Sequence, residues 1–158
     1  MIETGGELAL LALEQLVIPI RTSNGWRTEI GENVRLSPIY ADFKDETQSM
    51  TMISEASEEL GKAGAGIQGN MRDYRVALTF NVDSFVRLEN GRESVQVSQI
   101  KADHRKAFLV PSGILTYGGS RVGSIAILGT DLITQFKDGG VIGNRTRVLV
   151  EFVERVTH

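Results

Sequence analysis

Two groups of acidic side chains are the residues of this chain most able to do acid–base chemistry: Asp42, Asp45 and Glu46, followed by Glu55, Glu58 and Glu59. A catalytic carboxylate needs a pKa raised by burial or by a like-charged neighbour, and it needs partner groups that complete a site. Both groups lie in polar surroundings, which predict solvated carboxylates. We therefore expect an acidic surface, at an interface or facing a lumen, and no enzyme activity.

Cysteine and histidine content narrows the possible metal and nucleophile chemistry. The chain has no cysteine, which excludes disulfides, thiol nucleophiles and thiolate metal sites. A metal site usually needs three or four protein ligands, and neither His104 nor His158 has a second ligand at a sequence spacing typical of metal sites. We expect His104 to be a partly buried helix residue and His158 to be frayed. No metal or cofactor is predicted.

A glycine-rich segment from Gly64 to Gly69 matches the dinucleotide-binding pattern G-x-G-x-x-G. That pattern binds pyrophosphate where a strand delivers the glycines to the N-terminus of a helix. Here a polar run precedes the glycines and a predicted strand follows them. The sequence therefore predicts a flexible loop at this position and not a cofactor site.

The acidity of the chain is concentrated in one segment. The formal net charge is −3, but residues 29–59 hold eight acids and two bases, whereas the rest of the chain carries a net charge of +3. Clustered Lys and Arg side chains supply most of the affinity in nucleic-acid binding, so this charge balance argues against tight nucleic-acid binding. An acidic surface would instead repel DNA, as a conduit should.

A predicted helix in the second half of the chain carries a modest basic face made of four residues: Arg92, Lys101, Arg105 and Lys106. Such a face is most often the solvated side of an amphipathic helix. It would also complement the acidic segment of a neighbouring copy. A head-to-tail contact of this kind closes into a ring if the rotation between copies permits. The acidic and basic groups are therefore our candidate contacts between subunits.

Hydrophobic periodicity predicts two main helices. In the first, over about 5–18, Thr4 and Glu7 fit a capping box, and Pro19 ends the helix near Ile18. In the second, over about 92–109, apolar residues recur at helical spacing until Pro111. The apolar run near the N-terminus is short and follows acidic residues, which disfavours a signal peptide. No stretch approaches the roughly 20 apolar residues of a membrane span.

Alternating and extended segments predict the strands. The clearest strand is Arg75–Val86, and a hairpin follows from Ile114 to Leu128 around Gly118-Gly119. A last strand covers about 146–156, and three shorter extended segments precede the glycine-rich region: Arg27–Ile30, Val34–Ile39 and Ser49–Glu55. This order predicts an α+β single domain, in which a mixed or antiparallel sheet has the two main helices packed on one face.

Residues 54–72 show no clear periodicity and combine acidic residues with glycine. We predict a mobile loop here. Structureless stretches of this length are uncommon in compact domains, and they are usually functional or ordered by a partner. The loop is therefore our first candidate for an assembly contact.

The residues that follow the first helix indicate a family. An Asn24-Gly25 turn leads to an extended segment that begins with Trp26, and a corner at Gly31 leads to a second segment that contains Arg35. This order resembles the opening of phage tail terminator proteins, which close the head-proximal end of the tail tube. Three later elements match the same order: the strand at 75–86, the helix at 92–109 and the strand at 146–156.

The resemblance implies a structural function. Tail terminators are small α/β subunits that assemble six to a ring on the last ring of the tail tube, stop tube growth and offer a docking surface for the head. The implied partners are further copies of the chain, the tail tube protein and a head–tail connector or neck protein. DNA would pass through the lumen without specific binding. The implied location is the virion, after assembly in the host cytoplasm, and the resemblance implies no enzyme activity, cofactor or membrane.

Two alternatives stay open. The glycine-rich stretch also suits a related head–tail joining protein or a tail-tube subunit, and stacking into open tubes in isolation would indicate the latter. A small-molecule-binding α/β domain would use a cleft beside the 54–72 segment. It would be monomeric and would bind a stoichiometric ligand.

Overall fold

The structure is a computed structural model that describes residues 4–37, 49–68, 71–133 and 140–157. Within these ranges the chain forms two α-helices and six strands, named in chain order: α1 (Gly5–Val17), β1 (Val34–Arg35), β2 (Met50–Gln68), β3 (Met71–Arg87), α2 (Glu93–Phe108), β4 (Ile114–Tyr117), β5 (Ser120–Ile133) and β6 (Val141–Thr157). The predicted bounds of both helices are therefore correct to within one residue at each end.

All six strands belong to one sheet, in the order β1-β2-β3-β6-β5-β4. β1 runs parallel to β2, and every other pair of neighbours is antiparallel. Side chains from both helices share one hydrophobic core with one side of this sheet, which we call the helix side. The opposite side is called the open side. The prediction of an α+β domain, with a mixed sheet and two helices on one face, is confirmed.

Helix α1 begins and ends for the predicted reasons. The Glu7 N–H donates to Thr4 Oγ1 at 3.2 Å, and the Thr4 N–H donates to the Glu7 carboxylate at 2.8 Å, which completes the capping box. The helix ends at Val17, two residues before Pro19. Gly5 lets the first turn approach the sheet, because a Cβ there would lie 2.2 Å from the ring of Phe152.

The core lies between the helices and the central strands. The predicted alternation along β3 is confirmed, since Val76, Leu78, Phe80 and Val82 are all buried on the helix side. Val148 and Val150 of β6 lie beside them, paired with Phe80 and Leu78. Four buried residues supply much of the helical contribution: Leu13, Val17, Ile100 and Phe108.

The segment between α1 and β1 corrects one prediction. Asn24-Gly25 forms the expected turn, with Gly25 at φ 87°. Arg27–Ile30 is not a strand, however. The N–H groups of Arg27 and Thr28 donate to the buried Asp103 carboxylate of α2 at 3.2 and 2.8 Å, and Thr28 Oγ1 donates to it at 2.6 Å. Because this carboxylate satisfies donors that a strand partner would otherwise satisfy, the segment is tied to α2 and not to the sheet.

The 54–72 segment corrects a second prediction. The structure has no loop over its described part, because β2 continues to Gln68 and β3 already begins at Met71. A period-two pattern appears in a sequence when one face of a strand is buried and the other is solvated. From Glu55 to Gly61 both faces of β2 are exposed, so no alternation was present to indicate a strand.

The last two strands extend further than expected. The hairpin of β4 and β5 forms at Gly118-Gly119 as predicted, but β5 continues to Ile133. β6 begins at Val141, before the predicted start at about 146, and it includes Gly143. Gly143 is required inside the strand, because a Cβ there would lie 2.4 Å from Phe85 Cδ1.

The central strands are longer than the helices that cover them. β2, β3 and β6 have 19, 17 and 17 residues, or roughly 55–65 Å at the usual rise of a strand. The helices have 13 and 16 residues, or roughly 20–24 Å. One end of the three strands therefore extends past the helices. We call this end the arm: residues 61–68 of β2, 71–75 of β3 and 153–157 of β6.

Candidate assembly surfaces

The acidic candidates lie in two places. Asp42, Asp45 and Glu46 fall outside the described residues. Glu55, Glu58 and Glu59 lie on β2, and all three side chains are exposed. The second group therefore belongs to a regular strand, which sets the direction of each carboxylate.

A bulge on β2 separates these three carboxylates. Glu55 pairs with Phe80 and Ser57 with Thr79, so Ala56 is the extra residue on β2. Phe80 and Leu78 face the helix side, and their partners Glu55 and Glu58 do so too. Glu59 pairs with Ala77 and faces the open side. The expected acidic cluster is therefore a pair on the helix side and a single residue on the other.

The basic candidates of α2 do not form one face. Arg92 lies 3.6 Å from Glu89 in an exposed ion pair at the start of the helix. The Nζ atom of Lys106 lies 4.4 Å from the ring centre of Trp26, at cation–π distance. Lys101 and Arg105 lie one turn apart on the same flank, and at 100° per residue Arg92 lies about 180° from Lys101. The prediction of a single basic face is wrong, because two of its members are held elsewhere.

Two long strand edges are the feature that sequence reasoning missed. β1 pairs only with Thr51 and Met52, so within the described ranges no strand covers the outer edge of β2 from Ile53 to Gln68. β4 pairs with β5 as far as Ser124, which leaves the outer edge of β5 without a strand partner from Ile125 to Ile133 among the same residues. Edges of this length present rows of backbone donors and acceptors that can pair with another chain. Sequence patterning cannot reveal them, because it does not give strand order.

The open side of the sheet carries ion pairs between neighbouring strands. Three Arg–Asp pairs lie on it: Arg155–Asp73 at 2.9 Å, Arg145–Asp83 at 2.8 Å and Arg147–Asp131 at 3.4 Å. The Arg145 contact is bidentate, and the carboxylate of Asp83 is almost fully buried. Hydrogen bonding from Arg155 holds the pKa of Asp73 below its ordinary value and raises the pKa of Arg155. These arginines are therefore neutralised within the chain.

His104 is fully buried, and not partly buried as predicted. Its Nε2 atom lies 2.7 Å from Ser84 Oγ, and its Nδ1 atom lies 2.6 Å from Thr146 Oγ1. Ser84 Oγ continues to Thr51 Oγ1 at 2.7 Å, and Thr51 donates to the carbonyl of Ile30. Helix α2 is thus joined to β2, β3 and β6 through one polar chain inside the core. A sequence signal existed, because Ser84 and Thr146 occupy positions that otherwise hold apolar core residues.

The direction of the hydrogen bonds in this network argues against catalysis. Thr51 uses its only hydroxyl proton on Ile30, so Ser84 must donate to Thr51, and His104 must donate its Nε2 proton to Ser84. Nδ1 then accepts from Thr146. Ser84 therefore gives its proton away from the imidazole, which is the reverse of nucleophile activation. Desolvation lowers the pKa of His104 to about 3, so the ring is neutral at physiological pH. The network is a structural clamp.

A groove of about 480 Å³ runs along the exposed side of α2. Six residues line it: Arg27, Ser94, Val95, Ser98, Gln99 and Ala102. Ligand pockets usually enclose most of the surface of a small molecule, whereas this groove is open to solvent. It contains no residue of the 54–72 segment, where the ligand-binding alternative placed its cleft.

Three possibilities raised by the sequence remain: a dinucleotide site at the glycines, a metal site and a membrane span. Gly64, Gly66 and the residues between them extend β2, and β3 follows, so the glycines do not lead into a helix as a dinucleotide site requires. In the part of the chain that is described, no group of three His, Asp or Glu side chains could hold a metal ion. No helix of that same part is long and apolar enough to cross a membrane.

The geometry therefore offers surfaces for assembly and a polar clamp inside the core. Comparison with known protein families gives no matching family model, and comparison with curated proteins gives no significant match.

Proposed function

We propose that this chain is a structural subunit of a phage tail, a tail terminator that forms a ring on the head-proximal end of the tail tube. One observation carries the proposal. Among the residues that the structure describes, no strand covers the outer edge of β2 after Met52 or the outer edge of β5 after Ser124, and these two edges lie on opposite sides of the sheet. A subunit with two different free edges can join its neighbours head to tail, which is the geometry that closes into a ring.

The open side of the sheet supports the same proposal. Three of its arginines, Arg145, Arg147 and Arg155, are paired with Asp83, Asp131 and Asp73. Unpaired Arg and Lys side chains would bind phosphate groups and retain DNA. These three internal ion pairs lower the positive charge of a surface past which DNA would slide without being held.

The arm supplies a surface for a further partner. Leu60 at its base is 65% exposed on the helix side, and Val153 is 62% exposed on the open side. Exposed apolar residues on projecting strands are typical of contacts with another protein. In this proposal the arm contacts the last ring of the tail tube or the neck protein that joins the head.

Two related functions share these features. A tail-tube subunit also needs two free edges, and it would stack into open tubes in isolation, whereas a terminator would stop at a ring. A head–tail joining protein would leave tail length unchanged when it is absent. The ligand-binding alternative has less support, because the polar core network is inaccessible and the groove on α2 is open.

The deciding experiment is electron microscopy of tails produced without this gene and after its restoration. We expect overlong tails without heads in its absence, and tails of normal length joined to heads after restoration. Normal-length tails attached to heads in the absence of the gene would overturn the proposal. Long tubes formed by the purified chain alone would replace it with the tail-tube function.

A further inference from the structure

The two free edges have compatible strand directions. β2 is antiparallel to β3, β3 to β6, and β6 to β5, so β5 runs antiparallel to β2 within one copy. A rotation about an axis close to the strand direction preserves both strand direction and side of the sheet. After such a rotation, β2 of one copy arrives antiparallel beside β5 of the next. The helix side of each copy then continues into the helix side of its neighbour.

The two edges also match in their position along the strand direction, which we call height. Glu55 lies across from Phe80, then Val148 and then Ile127 of β5, and Glu58 reaches Ile125 in the same way through Leu78 and Val150. Ile53 reaches Thr130 through Val82 and Thr146. Copies at equal height around a ring would therefore place residues 53–58 beside residues 125–130, both of which lie in the free parts of the edges.

The side chains beside these edges carry opposite charges. Asp103 binds the segment at Arg27 and Thr28, and that segment lies over β2, because Thr51 donates to Ile30. Lys101 and Arg105 lie about 160° around α2 from Asp103. Their flank of the helix therefore faces β5, which α2 also contacts. On the helix side, the β2 edge is thus acidic through Glu55 and Glu58, and the β5 edge is basic.

This charge arrangement selects one pairing. Two β2 edges would bring glutamates together, and two β5 edges would bring Lys101 and Arg105 together with their copies. Like-charge juxtapositions at an interface are unfavourable and suppress wrong partners. Only the β2–β5 combination brings opposite charges into contact. Among the described residues, none of these four side chains has an ion-pair partner within its own chain.

We infer that copies of this chain join by strand addition: residues 53–58 of β2 pair antiparallel with residues 125–130 of β5 in the neighbouring copy, and Glu55 and Glu58 meet Lys101 and Arg105 of that neighbour. The sheet then continues from subunit to subunit. The contact rests on the proposed ring-forming function and gives it residues and register. It also covers Leu128, which is 49% exposed at the bulge between Ile127 and Gly129, on the edge of β5.

Charge exchange tests the contact directly. The variants E55K/E58K and K101E/R105E should each weaken self-association by roughly 100-fold or more, because every junction then joins like charges. The two variants mixed in equal amounts should associate again, since each junction in an alternating ring joins opposite charges. The quadruple variant should also recover. Mass photometry of the four samples measures the size and the fraction of the assemblies.

A matched control separates this contact from general charge effects. Glu59→Lys and Arg92→Glu each reverse one charge of the same kind, on the open side of β2 and beside Glu89 respectively. Both variants should assemble like the unmodified chain. Hydrogen exchange adds a readout for strand addition, because the N–H groups of 53–58 and 125–130 should become protected on assembly. Contact through side chains alone would leave these groups exchanging as in the monomer.

The outcomes distinguish the contact from the function. Rings that form equally well in both charge-reversal variants, or that assemble without added protection at the two edges, would overturn the contact and leave the proposed function standing. The same variants can be tested for their ability to restore tail length. This test reports on the contact between subunits even if the ring forms only on the tube. A chain that stays monomeric and whose deletion leaves tails normal would overturn both.

Discussion

The same three strands build two different regions of this molecule. Under the helices, Phe80 of β3 and Val148 of β6 are fully buried. Past the helices, in the arm, Glu154 is exposed on the same side of β6, Val153 is 62% exposed on the open side, and the β2 chain there is rich in glycine. The ladder between β3 and β6 is continuous through both regions, whereas the ladder between β2 and β3 is interrupted between Lys62 and Ile67. The difference shows that strand pairing sets the shape of this sheet, whereas the helices determine which half of it supplies stability.

Polar groups follow the same division. In the covered half they form a closed network around His104, and Asn144 Oδ1 is the one buried side-chain atom of the described residues without a hydrogen-bond partner. In the arm, the polar contact is an exposed ion pair between Asp73 and Arg155. Buried networks are costly to disturb, whereas surface pairs contribute little. Mutations in the two regions should therefore have very different effects.

Removing a large core side chain should give the largest effect. Phe80→Ala deletes a fully buried ring beneath the helices, and we expect it to lower the free energy of unfolding by about 3–5 kcal/mol. Val153→Ala in the arm should change it by less than about 0.5 kcal/mol. Urea denaturation of the monomer measures both. Equal losses would mean that the arm is as well packed as the covered half.

Adding a methyl group at two glycines sharpens the comparison. In Gly143→Ala the new Cβ would lie 2.4 Å from Phe85 Cδ1 and 2.9 Å from the Ser84 carbonyl oxygen, so we expect a loss of about 1–3 kcal/mol. Gly61 in the arm has no atom within 4 Å of the added Cβ. Gly61→Ala should be neutral or stabilising by up to about 1 kcal/mol. Thermal unfolding of the two variants would contradict this if their order were reversed.

Acid should weaken the covered half through His104. Burial lowers the pKa of the folded imidazole to about 3, whereas the unfolded value is about 6.5. Above pH 6.5 the ring is neutral in both states and costs nothing. Below it the unfolded chain takes up a proton that the folded chain refuses, so stability falls as pH falls.

The expected loss is about 2 kcal/mol between pH 7.5 and pH 5. His104→Gln should be less stable at neutral pH but should lack this component of the pH dependence. Parallel urea titrations at several pH values give the two slopes, and their difference isolates His104 from the carboxylates. Identical slopes would show that the ring can be protonated in the folded chain.

The smallest effect is expected at the ion pair of the arm. Both Asp73 and Arg155 are solvated, and exposed pairs are screened by water and salt. Arg155→Ala should leave the unfolding midpoint unchanged within error. The pKa of Asp73 should rise toward its ordinary value, because the hydrogen bonds that lower it are lost. Carbon-detected NMR titration of the carboxylate measures this shift, and a measurable loss of stability would show that the arm resists unfolding more than its exposure implies.

The sequence predicted the elements that have one buried face. Both helices and the alternation of β3 were found because burial of one side leaves a periodic pattern. Arg27–Ile30 was misassigned, because its partner Asp103 lies 76 residues away from Arg27 along the chain. Residues 56–68 were misassigned for a different reason. From Ala56 to Gly61 both faces of β2 are exposed, and pairing with β3 holds these residues in a strand without a period-two pattern.

The candidate surface was predicted only in part. Net charge pointed to an acidic segment and a basic helix, but it could not show that Arg92 and Lys106 are engaged elsewhere or that Glu59 faces away from Glu58. Strand order, which creates the two free edges, depends on pairing between distant parts of the chain. Periodicity within a single element carries no information about that pairing.

The bulge at Ala56 lets this strand lose one residue without turning its side chains over. Ala56 is the extra residue on β2, and it leaves Glu55 and Glu58 on the same side although they are three residues apart. Deletion of Ala56 would give a regular ladder in which Glu55 still pairs with Phe80 and Glu58 still pairs with Leu78, so both glutamates would stay on the helix side. Deletion of Ser57 as well would turn Glu58 to the open side and bring Glu59 to the helix side, without changing a single charge. Loss of one residue here should therefore preserve the contact through Glu58, whereas loss of two should replace Glu58 with Glu59.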